Sequence, residues 1–168
     1  MEFEEVIRNR HSTRCFSNRV VNKEDLDKIL EAARIAPTAK NLQPFKILVI
    51  QSEEGINNID IISPCRYNAP TVLLVLGNLE EAFSRPDYNS SMSDASIVAT
   101  HMMLEATNIG VDSVWVAMFD AKKVKELFNL DDNYVPIVML PIGYKADNCP
   151  PSKFHDYRKE ISDIVEYR

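Results

Sequence analysis

The sequence predicts an α+β fold in which a small central sheet is flanked by helices. Three observations lead to this class. Apolar runs of strand length interleave with segments of helical periodicity, two helical segments precede the first strand, and the chain of 168 residues has the size of one domain, assigned here to residues 1–168. A hydrophobic fraction of 45% is close to the globular average and is sufficient for one core.

Four segments are predicted to be helices because their apolar residues recur at spacings of three and four. They cover residues 3–10, 23–36, 93–108 and 121–128. Asn22 and Asp120 are predicted to cap the second and fourth helices, and Gly110 to terminate the third. The third helix has apolar side chains around most of its circumference, so we expect it to be central and heavily buried.

Four apolar runs have the length of strands, and they cover residues 45–50, 72–76, 114–119 and 135–142. The first two are predicted to be buried strands. Pro136 and Pro141 predict an edge or bulged position at the ends of the last one, because proline cannot donate to a ladder. Residues 84–91 are polar and turn-rich, which predicts a loop. The tail at residues 161–165 is compatible with a helix or an extended arm.

Composition excludes several classes of function. The net charge of −6 argues against a general nucleic-acid or anionic-membrane binder. Met1–Glu5 is acidic where a signal peptide is basic, and no apolar run is long enough to span a bilayer. We therefore expect a soluble, cytoplasmic protein. With only 4 glycines, the chain lacks both G-x-G-x-x-G and the P-loop motif, which disfavours an ordinary dinucleotide fold.

The 3 cysteines, Cys15, Cys65 and Cys149, are scattered along the chain and contain no C-x-x-C pair. This pattern is typical of neither a disulfide framework nor a zinc site. We expect reduced thiols and no metal.

The segment Arg10-His11-Ser12-Thr13-Arg14 is the first candidate for chemistry. Two guanidiniums and a hydroxyl within five positions suit a phosphate group, since arginine offers planar paired donors. The alternative is a solvated basic helix end, where cations favour the last carbonyls.

A second candidate is the stretch from Ala36 to Phe45, a stiff loop with two prolines. The side-chain amides of Asn41 and Gln43 match the mixed donor and acceptor edge of a heteroaromatic ring. A proline-limited connector whose amides satisfy nearby backbone explains the same residues.

Three later segments are weaker candidates. The apolar run 114–119 leads into a capped helix, where backbone N–H groups can face a ligand, although Trp115 fits a core position better. Gly143, in Leu140–Tyr144, would allow close backbone approach. Lys153, Arg158 and Lys159 in the tail are ordinarily surface charge.

Taken in order, these motifs resemble the short-chain branch of the nitroreductase family. The resemblance rests on R-H-S-T-R-C-F, A-P-T-A-K-N-L-Q-P-F, the long helix that opens at Asp94, V-W-V-A-M-F-D and L-P-I-G-Y. It extends from about Phe3 to Gly143. Each motif alone is weak, but five in the same order and spacing are specific.

The resemblance implies FMN as cofactor and NADH or NADPH as electron donor. Arg10 and Ser12 match the contacts to phosphate and ribityl, with His11 alongside. Arg14 matches the cation near the pyrimidine edge of the flavin, where it would stabilise negative charge at N1 and O2. Arg158 matches a late contact at the phosphate.

Other matches concern the flavin ring and the partner subunit. Pro37, Thr38 and Ala39 match the loop that reaches FMN from the other chain of a homodimer, and Asn41 matches the amide that follows. Ala117 and Met118 match the backbone donors at flavin N5. Gly143 matches another late contact. The implied molecule is a nitroreductase-like homodimer, with FMN at the subunit interface.

The sequence also departs from the family pattern. Longer relatives carry a Glu-Gly pair where Ala117-Met118 stands, which keeps backbone donors but changes the side chains. The second cation of the tail falls on Asp156, so either Arg158 acts alone or Lys153 or Lys159 substitutes. The stretch between Gly77 and Asp94 is short, which predicts an open, unselective pocket.

The function implied is an oxidoreductase that passes hydride by a ping-pong mechanism to nitroaromatic, quinone or similar electron-poor acceptors. No catalytic side chain is expected, because the flavin carries the chemistry. Two alternatives remain at this point: a flavin store or sensor without turnover, and a flavin enzyme of the same fold that dehalogenates or degrades flavin.

Overall fold

The computed structural model describes all residues from Met1 to Arg168. Five α-helices are present: α1 (Phe3–Asn9), α2 (Lys23–Ile35), α3 (Glu53–Ile62), α4 (Ser91–Asn108) and α5 (Ala121–Leu127). The strands are β1 (Phe45–Ile50), β2 (Thr71–Asn78), β3 (Ser84–Arg85), β4 (Tyr88–Asn89), β5 (Asp112–Ser113) and β6 (Tyr134–Gly143). Short 3₁₀ turns lie at Ala39–Asn41 and Ile161–Asp163. The α+β class is confirmed.

The central sheet has the order β1-β2-β6-β5, and all neighbouring strands are antiparallel. Every residue of β2 is buried, because helices cover both faces of the sheet. Leu73 and Val75 point toward α2 and α4, whereas Val72 and Leu74 point toward α3 and α5. The period-two alternation of β2 therefore feeds two separate cores, one on each face.

The long helix α4 is central, as predicted. It packs against α2 and against β1, β2 and β6, and Val98, Ala99 and Met102 are fully buried. Gly110 follows it with a φ of 79°, the left-handed conformation that ends helices. The predicted caps are also confirmed: Asn22 accepts a hydrogen bond from the Asp25 amide, and Asp120 accepts from two amides of the first turn of α5.

The predicted strand over residues 114–119 is wrong. β5 stops at Ser113, and beyond it only Val114 and Val116 bond to β6. The Val114 amide donates to the Pro141 carbonyl (3.1 Å), but Pro141 has no amide hydrogen to return the bond. Val114 and Pro141 are therefore joined by one hydrogen bond instead of two. The segment after Val116 continues as irregular chain toward α5.

The expectation that the first strand is buried is wrong: β1 lies at an edge of the sheet, and only Ile50 in it is buried. The expectation of an edge or bulged position for the last strand is confirmed at the Pro136 end of β6, where a bulge lies: Val75 pairs with Val138 and Leu76 pairs with Pro136. At its other end β6 pairs with β5 through Ile142 and Gly143. Pro136 thus lies where the ladder is interrupted and its missing donor costs least. Residues 84–91 contain the small β3–β4 hairpin.

The expectation of three reduced thiols is also wrong. Cys15 and Cys149 form a disulfide, with Cα atoms 5.9 Å apart, whereas Cys65 is free and buried. Their approach follows from local pairing, because Phe16 bridges to Lys145 and the Ala146 amide donates to the Cys15 carbonyl (3.0 Å). No helix of the structure combines the length and the apolar character required to cross a bilayer.

Candidate functional site

The segment Arg10–Arg14 leaves the end of α1 and runs beside the short edge strand β5. Ser12 forms a parallel bridge with Ser113, and the Thr13 amide donates to the Ser113 carbonyl (3.0 Å). Thr13 is buried, while Arg10 and Ser12 are partly exposed. The backbone of this segment is therefore fixed to the sheet while its polar side chains remain available to a ligand.

These side chains line one small cavity of about 170 Å³ together with part of the C-terminal tail. Its lining consists of Arg10, His11, Ser12, Arg14, Ser152, Phe154, His155 and Arg158. All of these except Phe154 are polar and three are arginines, so we call this the cationic cavity. The volume suits one end of a cofactor rather than a whole one, since complete ligand pockets are typically ~300–1,000 Å³.

The charges of this cavity are not balanced within the chain. Arg10, Arg14 and Arg158 form no ion pair with any carboxylate, in contrast to Arg34 and Arg66, which do. Burial, and next the positive charge of Arg158, lower the pKa of Arg10. Cations that repel one another without a counter-charge form a site for an anion.

His11 is held by its own neighbours at the rim of this cavity. Its Nδ1 donates to the Asn9 carbonyl (3.0 Å), and its Nε2 lies 3.3 Å from Thr13 Oγ1 and 3.8 Å from Asp112 Oδ1. Its ring meets the ring of His155 edge-on, with centroids 5.9 Å apart. The imidazole is thereby oriented without a ligand.

The loop that contains Pro37, Thr38, Ala39 and Asn41 lies elsewhere. Ala39 donates its amide to Asp94 Oδ1 (2.9 Å), and Ser90 Oγ donates to Asp94 Oδ2 (2.7 Å). Asp94 is buried, so this carboxylate fixes the loop to the start of α4. Within one chain, the loop does not line the cationic cavity.

The shape of this loop is set by unusual backbone angles. Lys40, Asn41 and Gln43 all have φ between 52° and 55°, which side chains other than glycine seldom adopt. The Gln43 amide donates to Thr38 Oγ1 (3.0 Å), which closes the loop. Such strain persists where surrounding contacts determine the conformation, and it often marks functional loops.

Ala117 and Met118 lie in the irregular chain after Val116, and both are exposed. Neither amide donates a hydrogen bond within the chain. The Met118 carbonyl does have a partner, because Ser63 Oγ donates to it (2.6 Å), and the next helix is anchored by the Asp120 amide on the Ile62 carbonyl (3.1 Å). Two free, adjacent N–H groups on a fixed backbone match the predicted donors.

Gly143 has a structural explanation within the chain. It is the last residue of β6 and is buried, and an added Cβ would lie 3.2 Å from Phe16 and 3.2 Å from Pro70. The absence of a side chain thus allows these neighbours to pack closely. Contact between Gly143 and a cofactor stays a prediction.

The cavity includes residues that sequence reasoning missed. Ser152 and His155 line it, whereas Lys153 and Lys159 do not. Lys153 lies instead over the ring of Phe154, 5.1 Å from its centroid. The only available signal for His155 was its position three residues before Arg158. Arg66 has a structural role, because it binds Asp60 through two nitrogens and raises its own pKa by that contact.

Comparisons of the sequence and the fold with known proteins identify relatives of this chain. The sequence model of the nitroreductase family matches residues 7–64 and 60–144. A nitroreductase family protein of Clostridium difficile 630 has a crystal structure that superposes with a TM-score of 0.93, at 40% identity, over 99% of this chain and 98% of that one.

Two further relatives carry more specific names. A candidate nitroreductase of Exiguobacterium sibiricum, solved in complex with FMN, superposes with a TM-score of 0.86 at 25% identity, covering 100% of this chain and 98% of that one. A Bacillus subtilis protein named as a candidate NAD(P)H nitroreductase is 26% identical, covering 99% of this chain and 98% of its own length. With the family model matched over most of its length, the chain belongs to the nitroreductase family.

Proposed function

We propose that this protein is an FMN-dependent oxidoreductase that takes electrons from NADH or NADPH and passes them to electron-poor acceptors such as quinones and nitroaromatics. The observation that carries the proposal is the cavity lined by three unpaired guanidiniums and the Ser12 hydroxyl, in a fold whose relatives include an FMN complex. The open surface near Ala117 and Met118 is consistent with a broad range of acceptors.

The cavity fits the phosphate end of FMN on chemical grounds. A phosphate monoester carries about 1.5 to 2 negative charges near neutral pH, and the cavity offers it the guanidiniums of Arg10 and Arg158 without a competing carboxylate in the lining. The pKa of Arg10 is lowered by burial and next by the charge of Arg158, and binding of an anion would offset the repulsion between the two guanidiniums. Ser12 adds a neutral donor or acceptor for the phosphate or the ribityl chain.

The remaining residues of the chain have roles in binding and orientation. When bound, FMN supplies the hydride chemistry between the reduced nicotinamide and the acceptor. The amides of Ala117 and Met118 would donate to the ring edge, and Ser63 holds their backbone through the Met118 carbonyl. Arg14 would place a positive charge near the part of the ring that becomes electron-rich on reduction. No side chain has to move a proton.

The site is completed by a second copy of the chain in this proposal. The loop at Pro37, Thr38 and Ala39 is rigidly built but does not line the cationic cavity of its own chain. A function for this loop in the partner's site explains why its strained conformation is fixed by a buried carboxylate. The protein would then be a homodimer with two shared sites.

The first test is the identity of the bound flavin. Purified protein is expected to be yellow and to release FMN, not FAD, on denaturation, as measured by chromatography of the supernatant. Recovery of FAD, or a colourless protein that fails to bind added FMN, would contradict the proposal.

The second test is turnover. Oxidation of NADH and NADPH should be measured in parallel, with menadione or a nitrofuran as acceptor. We expect turnover, with parallel double-reciprocal plots, because donor and acceptor use the same surface in succession. Protein with bound FMN but no turnover would instead indicate a flavin store or sensor.

A further inference from the structure

The cationic cavity is assembled from two distant pieces of the chain. One piece, residues 10–14, ends immediately before Cys15, and the other, residues 152–158, begins three positions after Cys149. The Cys15–Cys149 disulfide joins the two pieces across a sequence separation of 134. The covalent link is therefore adjacent to both halves of the cavity.

Little else in the chain holds the second half in place. The last hydrogen bond from the tail to the body is the Ala146 amide on the Cys15 carbonyl. Beyond Cys149, every hydrogen bond and ion pair of the tail is internal, including those from Arg158 to the carbonyls of His155 and Tyr157. The tail meets the Arg10–Arg14 segment through an edge-on contact between the rings of His11 and His155, and it lies beside Ile7 and Arg8 of α1.

Electrostatics oppose this arrangement when no anion is present. Burial, and next the charge of Arg158, lower the pKa of Arg10, as expected for two guanidiniums that lie close together without a counter-charge. A tail of residues 149–168 with no hydrogen bond to the body would move away under this repulsion. The disulfide restricts that movement because it ties the first residue of the tail, Cys149, to Cys15.

We propose that the Cys15–Cys149 disulfide is a redox-controlled clasp that sets the affinity of the cavity for a phosphate monoester, by holding Ser152, His155 and Arg158 against Arg10 and Ser12. The inference rests on the proposed FMN function, and the ligand is the phosphate of that cofactor. Both cysteines are partly exposed, whereas Cys65 is buried.

The chemical step is thiol–disulfide exchange with a dithiol as reductant. The Sγ–Sγ bond breaks and takes up two electrons and two protons, which gives the thiols of Cys15 and Cys149, while the dithiol becomes a disulfide. Afterwards the Ala146 amide makes the last hydrogen bond between tail and body, and only side-chain contacts such as that of His11 with His155 hold the rest of the tail in place. Arg158 must then be ordered anew at each binding event, so affinity falls because part of the binding free energy is used for ordering.

The first experiment compares FMN affinity in the two redox states. Dimeric apoprotein is oxidised with oxidised glutathione, one portion is reduced with dithiothreitol, and both are titrated with FMN by flavin fluorescence. Peptide mapping without reductant verifies the Cys15–Cys149 link. We expect reduction to raise the Kd by about tenfold, within the one to two decades typical of a charge-assisted contact. Cysteines that cannot be oxidised to this pair, or an unchanged Kd, would overturn the proposal.

Two cysteine variants provide the matched controls. Cys149→Ser should bind FMN as weakly as the reduced wild type, with or without dithiothreitol. Cys65→Ser keeps the disulfide and should remain sensitive to the reductant. If the FMN affinity of Cys65→Ser no longer changes with dithiothreitol, the effect belongs to Cys65 and not to the Cys15–Cys149 disulfide, which contradicts the clasp.

A double-mutant cycle separates the clasp from general destabilisation. Arg158→Ala should raise the Kd about tenfold or more in the oxidised protein and much less in Cys149→Ser, where Arg158 is no longer held. If Cys149→Ser fails to fold, the same cycle can be run with reduced wild type. An equal effect of Arg158→Ala in both backgrounds would refute the inference. A protein that binds no FMN in any state would refute the proposed function instead.

Discussion

Three arginines of the cationic cavity have the same charge but different settings. Arg10 is partly buried, and burial and next the charge of Arg158 lower its pKa. A bound anion would offset both effects. Arg14 is exposed at the same cavity. Arg158 belongs to the tail and reaches the cavity only through the position of that tail. We therefore expect their replacement to affect different properties.

Replacement of Arg10 by alanine should weaken FMN binding. A charge-assisted hydrogen bond is typically worth about 1.5–3 kcal/mol, or roughly one to two decades in affinity. Because loss of Arg10 also relieves the repulsion on Arg158, we expect a change near the lower end, about tenfold. Fluorescence titration of apoprotein measures it. Arg34→Ala, which removes an exposed arginine paired with Glu31 on α2, is the control and should leave the Kd unchanged. A normal Kd for Arg10→Ala would exclude Arg10 as a phosphate ligand.

Replacement of Arg14 by alanine should act more on the reduction of the flavin than on its binding. A nearby cation stabilises the negative charge that develops on reduction, so its loss should make the midpoint potential of bound FMN more negative. Equilibration with a reference dye measures the potential, and Arg14→Lys should preserve it. Since Arg14 lines the same cavity as Arg10, a phosphate role competes with this assignment. Equal losses of affinity in both alanine variants, with an unchanged potential, would favour that role.

At the scale of secondary structure, α4 both forms the core and supports the loop at Pro37–Ala39. Asp94 lies in its first turn, is buried, and accepts from Ala39 and Ser90. A carboxylate near a helix N-terminus is favoured by the helix dipole, so this position suits the charge. The hydrogen bond from Ala39 to Asp94 therefore fixes the strained loop to the first turn of the buried helix α4.

Two substitutions at Asp94 should separate these roles. Asp94→Ala leaves the Ala39 amide without its acceptor, and we expect the free energy of unfolding to fall by about 1.5–3 kcal/mol. Asp94→Asn keeps one acceptor oxygen and can donate to Ser90, so it should cost less. Urea denaturation measures both. If FMN is shared between subunits, Asp94→Ala should also lower FMN affinity in dimers that remain folded. Equal stability of the two variants would show that the Ala39 bond is unimportant.

Regular elements were predictable where local chemistry and packing agree. The caps of α2 and α5 follow from Asn22 and Asp120, and β2 follows from a run of buried apolar residues. The helix α3 was missed because Gly55 and two asparagines lower its intrinsic propensity, while its burial of Ile59 is a tertiary effect. The strand predicted at 114–119 does not form because its partner residue Pro141, which lies far away in sequence, has no amide hydrogen to donate to it.

The candidate site was predictable to a similar extent. The residues of Arg10–Arg14 are close in sequence, so their chemistry could be recognised locally, and the structure brings them together with Arg158. The disulfide could not be recognised, because nothing in the spacing of Cys15 and Cys149 shows that the pairing of Phe16 with Lys145 brings them within reach. His155 could not be predicted for the same reason, because the long-range pairing of Phe16 with Lys145 brings the tail beside the cavity.

At the scale of the whole molecule, exposed apolar side chains are compatible with the proposed homodimer. Phe3 on α1, Ile35 on α2 and Met92 on α4 are each more than 60% exposed. A groove of about 440 Å³ lies between these helices and is lined mainly by apolar residues, including Phe3, Ile35 and Leu104. Apolar patches of this kind typically mark interfaces. The same helix α4 anchors the loop assigned to the partner's site, so assembly and cofactor binding should depend on each other.

Dissociation of the proposed dimer should therefore release FMN. In sedimentation velocity runs followed at the flavin absorbance, dilution should lose bound FMN as the monomer appears, because Pro37, Thr38 and Ala39 of each chain complete the other chain's site. Added FMN should in turn favour the dimer by mass action. A charge introduced at Ile97, on the more exposed side of α4, should shift both equilibria together. A monomer that keeps FMN at full occupancy would mean that the cationic cavity binds the cofactor alone, and the strained loop at Pro37–Asn41 would then need another explanation.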